Sequence, residues 1–409
     1  MTKGFAIDNI SLLFLARIQK NYTNVFRFSM TFQEPVRPDI LQTAVDHTYP
    51  RFPTVIAGFH PGFFQYTQVP VSQPPKVLPD PGCLITMSLS EIHKCAFRVY
   101  YKENTVSFEA FHALTDGAGA LSCITTLVAE YLRLLYGAEI PVNQTLLDLS
   151  QEPTQEETGD ALLTHQAGKP FLIPSRYSYQ LPGEKNQQWQ ISSTAHSYPT
   201  KSILDAAHRY GVSATTLLTT VMASSIMEIQ QSHKKRLLPV RIMVPVDLRR
   251  IFSSKTLRNF SLYALPAMEP EEIRLPMEDL MQKFHNDIRS QIDKDRLASM
   301  MAYYVRTQSN PLFRYIPRGL KFACLRLGYR FFGESNSSVT VTNLGNFKLP
   351  EEMASYIQSV EVIMTPRVQS PYGCSIISYG DTLTVNISTF RRKSELDEVF
   401  DRNLTRLLT

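Results

Sequence analysis

The chain has 409 residues, a length that predicts two domains, or one double-sized unit, at about 100–200 residues per domain. Hydrophobic residues make up 43% and charged residues 19%, which excludes a largely disordered chain. Lys+Arg (42) against Asp+Glu (37) leaves a net charge of +5, too small and too dispersed for a nucleic-acid-binding surface.

The aromatics are skewed, with 23 Phe and 19 Tyr against 1 Trp. No apolar run reaches the roughly 18–20 residues of a membrane-spanning helix, so no transmembrane segment is expected. Ile10 to Ala16 is shorter than a signal-peptide core, and Asp8 interrupts its approach. The five cysteines, Cys83, Cys95, Cys123, Cys324 and Cys374, are odd in number and scattered. They form no CxxC pair, so buried free thiols in a reducing cytoplasm are expected, with no disulfide framework and no metal site.

In chain order, Pro38 to Tyr49 predicts a short helix, with Ile40, Leu41, Ala44, Val45 and Thr48 on one face. Segments rich in Phe, Tyr and Val follow, around Phe63 to Val69. Ala96 to Tyr101 and Thr105 to Phe111 flank Lys102-Glu103-Asn104 as a hairpin. The period then changes, and Ala120, Leu121, Ile124, Leu127, Val128, Tyr131, Leu132 and Leu135 form a helical stripe. From Ile140 to about Gln190 periodicity is weak, with several Pro and Gln, as in a long connection.

A second half starts near Ile191. Lys201 to Tyr210 predicts a helix, and Ser213 can cap the next, which carries Leu217, Leu218, Val221, Met222 and Ile226. Val240 to Val244 is a buried-type strand, and Met277 to Ile292 an amphipathic helix. Four strand-like runs crowd the end: Val339 to Thr342, Val360 to Met364, Cys374 to Ser378 and Leu383 to Ser388. Glu395 to Leu408 is a closing helix. Strands and helices mix without regular alternation, so the fold class is α+β and not a doubly wound parallel sheet. The division is an N-terminal half (1–150), a connection (151–190) and a C-terminal half (191–409).

The informative stretch is Phe111-His112-Ala113-Leu114-Thr115-Asp116-Gly117, where the hairpin's second strand gives way to the long helix. Such junctions present side chains at a sheet edge, where ligands bind. The following Gly117-Ala118-Gly119-Ala120-Leu121-Ser122 lacks the third glycine and the acidic second strand of a dinucleotide loop. There is no GxSxG nucleophile elbow, and His112 and Asp116 lack a third metal ligand at sensible spacing.

His112, Asp116 and Gly117 spell HxxxDG, which resembles the motif of the CoA-dependent acyltransferase superfamily, in particular its alcohol acetyltransferase and condensation-domain-like branch. Two further segments carry the resemblance. Val244-Pro245-Val246-Asp247-Leu248-Arg249, followed by Leu257-Arg258-Asn259-Phe260, is similar to that family's PVxxR and RNF elements. Thr340-Val341-Thr342-Asn343-Leu344-Gly345 is similar to its (S/T)NxG strand. Condensation domains usually carry a second histidine where this chain has Phe111. That departure weakens a peptide-condensation reading and fits simpler acyl transfer.

The resemblance implies two chloramphenicol-acetyltransferase-like α/β sandwich halves with an active-site tunnel between them. It implies transfer of an acetyl or short acyl group from acyl-CoA to a small alcohol or amine. Acyl-CoA would be a substrate, with no permanently bound cofactor. A carrier-protein thioester as donor, or a non-catalytic ligand-binding homologue, are the alternatives. His112 is then the general base. Asp116 pairs with Arg249 to hold the motif; as a plain residue it reads equally as a helix cap. Gly117 allows close approach or simply starts the helix. Thr342 or Asn343 is the candidate oxyanion donor, although Asn343-Leu344-Gly345 also reads as a turn ending a strand. Asn259 is a motif position whose role is anchoring backbone. The run Arg314, Arg318, Lys321, Arg326 and Arg330 has three readings: a contact to CoA phosphates, a solvated basic face, or a membrane-surface helix ending in Phe331-Phe332.

Overall fold

The structure, a computed structural model, describes residues 4–143, 145–184, 186, 190–233, 236–392 and 394–409, with the backbone alone at 330–332 and 334. Two large sheets dominate the described residues. The first has the strand order Ile357–Met364, Val25–Phe32, Thr105–Phe111, Phe97–Lys102, Val77–Pro79. The second runs Ser261–Ala264, Val240–Asp247, Val339–Asn346, Tyr372–Tyr379, Thr382–Thr389, Ser192–Pro199, with Ala267–Met268 also paired to Val240–Asp247. Each sheet carries its own apolar core. The predicted hairpin forms, Phe97–Lys102 against Thr105–Phe111, around Glu103 and Asn104. Its second strand alternates Val106, Phe108 and Ala110 with Ser107 and Glu109, all of them buried, because both faces are covered.

The long helix, Gly117–Tyr136, packs on this sheet together with Pro38–Thr48. Asp116 caps its N-terminus, and Gly137 closes it in the left-handed conformation at φ 65°. By length and composition this helix could cross a membrane. It escaped the sequence count because Glu130 and Arg133 interrupt the apolar run. Yet 67% of its most apolar window is buried inside the molecule, as in a core helix. In the second half, Thr200–Arg209 and Ala214–His233 form as expected, and Thr216 N donates to Ser213 Oγ at 3.1 Å.

The long connection is packed down. Gln155–Thr158 and Ala161–His165 are short helices, and buried Glu157 takes a paired contact from Arg51 at 2.8 and 3.0 Å. Four cysteine thiols are buried or half-buried, but Cys324 is exposed, against the expectation of burial. It lies on Arg318–Phe332, among the residues that line the open cavity described below.

The sheets do not divide cleanly along the sequence. Ile357–Met364 leaves the second half and pairs antiparallel with Val25–Phe32 of the first, Ser359 opposite Thr31 through Met364 opposite Phe26. The chain then returns to the second sheet at Tyr372. Ser375 Oγ donates to Val362 O at 2.6 Å, and Ser388 Oγ to Met364 O at 2.7 Å, which ties the borrowed strand to the sheet it left. The two lobes therefore share a strand, and a cavity opens between them.

Candidate active site

A cavity of about 1870 Å³ runs between the lobes. His112 lies on its wall, with Asp116, Gly117, Arg249, Thr342 and Asn343 also on the lining. Asn259 is fully buried behind it. The sequence motifs, up to 231 residues apart by number (His112 to Asn343), are thus brought to one place.

His112 is the first residue beyond its strand. Its N–H still donates to Asn24 O at 2.8 Å, extending the ladder in which Val25 faces Phe111. Its carbonyl accepts from Asn259 Nδ2 at 3.0 Å, so the backbone is fixed from both lobes. The ring is clamped by aromatics. Phe14 stacks on it at 4.3 Å and 17°, and Phe26 meets it edge-on at 5.1 Å. Nδ1 is buried without a hydrogen-bond partner. The ring therefore meets the cavity through its other edge, which carries Nε2.

Burial holds the imidazole below the ordinary histidine value of 6.5; its own backbone carbonyl, Asp116 and Asn259 oppose that shift, and Arg17 adds to it. A ring with this balance is neutral near pH 7 and can accept a proton.

Asp116 faces away from this chemistry. Its Oδ1 accepts from Gly119 N at 3.1 Å, the helix cap. Its Oδ2 accepts from Arg249 Nη1 at 2.9 Å and from Phe260 N at 2.7 Å. Cap and ion pair coexist on the two oxygens. Arg249 uses its whole guanidinium: Nε donates to Thr256 O, Nη1 to Asp247 Oδ1 as well as to Asp116, and Nη2 to Arg258 O, at 2.6–2.9 Å. A planar fork of donors suits such a junction, and a lysine could not reproduce it. Through Arg249 the loop 256–260 is clipped to the strand-to-helix turn.

The glycines of the motif have separate reasons. A Cβ on Gly117 would lie 2.8 Å from Leu344 Cδ2, a side chain of the second lobe. At Gly119 it would lie 2.2 Å from both Leu257 O and Thr115 Oγ1, so no side chain fits. Thr115 Oγ1 itself donates to Leu257 O at 2.6 Å. Thr115, Gly119, Phe14 and Phe26 were not read as site residues. Gly119 could have been found from the dense Gly117-Ala118-Gly119 run. The two rings carry no local signal, because phenylalanine is common throughout the chain.

Across the cavity, Thr342 and Asn343 sit on Val339–Asn346. Asn343 is occupied: its Oδ1 accepts from Gly345 N at 2.8 Å and its Nδ2 donates to Thr215 Oγ1 at 3.0 Å. Gly345 has φ 75°, and the pairing with Tyr372–Tyr379 shifts register between Asn343 and Asn346. Asn343-Leu344-Gly345 thus forms a bulge inside the strand, which continues to Asn346, and not a turn that ends it. Thr342 Oγ1 has only a 3.7 Å contact to Met364 Sδ, so its hydroxyl can turn to a ligand.

The basic segment splits. Lys321 is buried and donates to Phe64 O and Arg314 O at 3.1 and 3.2 Å, while Arg314 and Arg326 are exposed. The side chains of Arg330, Phe331 and Phe332 lie outside the described residues. Among the described residues no cluster of three or more His, Cys, Asp or Glu is arranged to hold a metal ion.

No protein-family model matches the chain, and no curated protein matches it. Solved structures do. TRI101 of F. graminearum, complexed with coenzyme A and deoxynivalenol, superposes with TM-score 0.65 at 11% identity, over 98% of this chain and 96% of that one. Polyketide synthase associated protein 5 of Mycobacterium tuberculosis gives 0.59 at 12%, over 100% and 97%. The epimerization domain from the third module of tyrocidine synthetase B gives 0.60 at 10%, over 100% and 96%. At these identities the likeness concerns the fold, and one fold serves several reactions. The fold is the two-lobed chloramphenicol-acetyltransferase-like architecture, mixed α/β, matched along the full chain.

Proposed function

We propose that this protein is an acyltransferase, moving an acetyl or short acyl group from acyl-CoA to a small alcohol or amine, with His112 as general base. The observation that carries this reading is the His112 ring, clamped by Phe14 and Phe26 on the wall of the inter-lobe cavity. In this reading Nε2 takes the acceptor's proton as its oxygen or nitrogen attacks the thioester carbonyl. The carbon–sulfur bond then breaks, and the leaving thiolate takes the same proton back. No covalent enzyme intermediate is formed.

Charge developing on the carbonyl oxygen needs a donor placed in advance. Thr342 fills that role better than Asn343, whose amide is committed to Thr215. Asp116, Arg249 and Asn259 position the histidine through the contacts described above. Gly117 leaves room beside Leu344. The solved neighbour bound to coenzyme A supports a CoA donor here.

Thiol release from acyl-CoA and from acyl-carrier-protein donors, measured side by side over a panel of alcohols and amines, tests the donor. The expected result is acceptor-dependent thiol release from acyl-CoA. Coenzyme A should also raise the melting temperature, since a ligand bound only by the native state stabilises it. Release from carrier-bound acyl groups alone would replace the donor. The absence of both thiol release and a thermal shift at about 1 mM CoA would remove the assignment.

A further inference from the structure

The hairpin turn between Ala57–Pro61 and Tyr66–Pro70 meets the helices Pro311–Arg314 and Arg318–Phe332 at the surface. Arg318 N donates to Phe63 O at 2.9 Å, and buried Lys321 reaches Phe64 O at 3.1 Å. Phe63 lies edge-on to Phe64, and Phe64 to Tyr315, at 4.9 and 5.8 Å. These contacts hold large apolar side chains out in water: Leu312 is 83% exposed, Phe63 73%, Leu320 61% and Leu327 59%. An apolar patch assembled from separate segments and pinned by hydrogen bonds marks an interaction surface.

Charge selects the partner. Residues 47–79, which supply the hairpin, contain no Asp or Glu, and neither do residues 296–333, which supply the helices. Arg314 and Arg326 are exposed beside the apolar side chains. A second copy of the chain would bring like charges together. The protruding residues sit on a hairpin tip, a one-turn helix and one helix face, as in surfaces that dip below lipid headgroups while cations meet the phosphates. The same helices supply Phe313, Leu325 and Tyr329 to the cavity, so the patch is the outer face of the cavity wall.

We infer that this patch docks the protein on a bilayer containing anionic lipid, with the Phe63 and Leu312 side chains inserted and Arg314 and Arg326 on the headgroups. The inference does not rest on acyl transfer, because its readout is binding. Vesicle flotation tests it, with phosphatidylcholine alone and with about 30 mol% phosphatidylglycerol. The wild-type protein is expected to float with the anionic vesicles and to be released by salt. Leu312→Ser with Leu320→Ser should lower the bound fraction at least about fivefold. Arg314→Glu with Arg326→Glu should lower it about tenfold or more. Melting temperatures should stay at the wild-type value, since all four side chains are exposed. If a variant unfolds, the salt and lipid dependence of the wild-type protein decides. Failure of the wild-type protein to float, equal flotation of folded variants, or capture of an acyl carrier protein in place of vesicles would overturn the docking surface.

Discussion

The two sides of the cavity are built differently. On the side that carries His112, polar groups drawn from both lobes are nearly saturated: Asp116 accepts three hydrogen bonds and Arg249 donates to four acceptors. On the facing side, Asn343 is committed to Gly345 and Thr215, and Thr342 has only a sulfur contact at 3.7 Å. The difference separates residues that hold from residues able to act. A saturated group has nothing left for a substrate. His112, with a fixed backbone and a ring edge on the cavity, and Thr342, with a loosely held hydroxyl, are the groups that do.

Arg249→Ala presses hardest on the holding side. It leaves the Asp116 carboxylate buried without its ion pair, and breaking such a pair costs about 3–5 kcal/mol. A large loss in urea or thermal unfolding is expected, with activity lost in parallel. Stability within about 0.5 kcal/mol of wild type would show that the clip between the lobes is dispensable. Thr342→Val tests the acting side. It should lower kcat about a hundredfold with KM and melting temperature little changed, the magnitude of a lost oxyanion donor. Unchanged kcat would move that role to another group.

Gly345→Ala sharpens the assignment of Asn343 to structure. At φ 75° with open space around the Cβ, the cost is purely backbone, about 1–2 kcal/mol, and turnover per folded molecule should not change. The smallest effect is a pH limb. Because burial depresses the His112 value, the neutral base persists above it and is lost as pH falls through it. The acid limb of kcat/KM should therefore lie below pH 6.5 and the profile stay flat up to the weakly basic range. A limb above 6.5 would contradict the buried environment.

What the sequence showed, and what it hid, follows from locality. The hairpin, the helix after it and the HxxxDG turn are each set by residues next to one another, and all were legible. So was the pairing of Arg249 with Asp116, though only through the resemblance, since nothing local encodes a contact between residues 133 positions apart. The strand Ile357–Met364 was recognised, but its sheet was not. Alternating burial looks the same whichever sheet a strand joins, so its transfer to the first lobe leaves no local trace. Phe14 was missed for a related reason. It belongs to the apolar helix Asn9–Ala16, and only the closed fold shows that its ring stacks on His112.

The central claim, that the His112 ring is the base serving the inter-lobe cavity, is tested most directly by His112→Ala in acyl-CoA turnover, with CoA-induced thermal shift read on the same sample. A fall in kcat of about 10²–10⁴-fold is predicted, with the thermal shift retained, because the backbone anchors to Asn24 and Asn259 do not depend on the ring. Wild-type turnover by the folded, CoA-binding variant would contradict it.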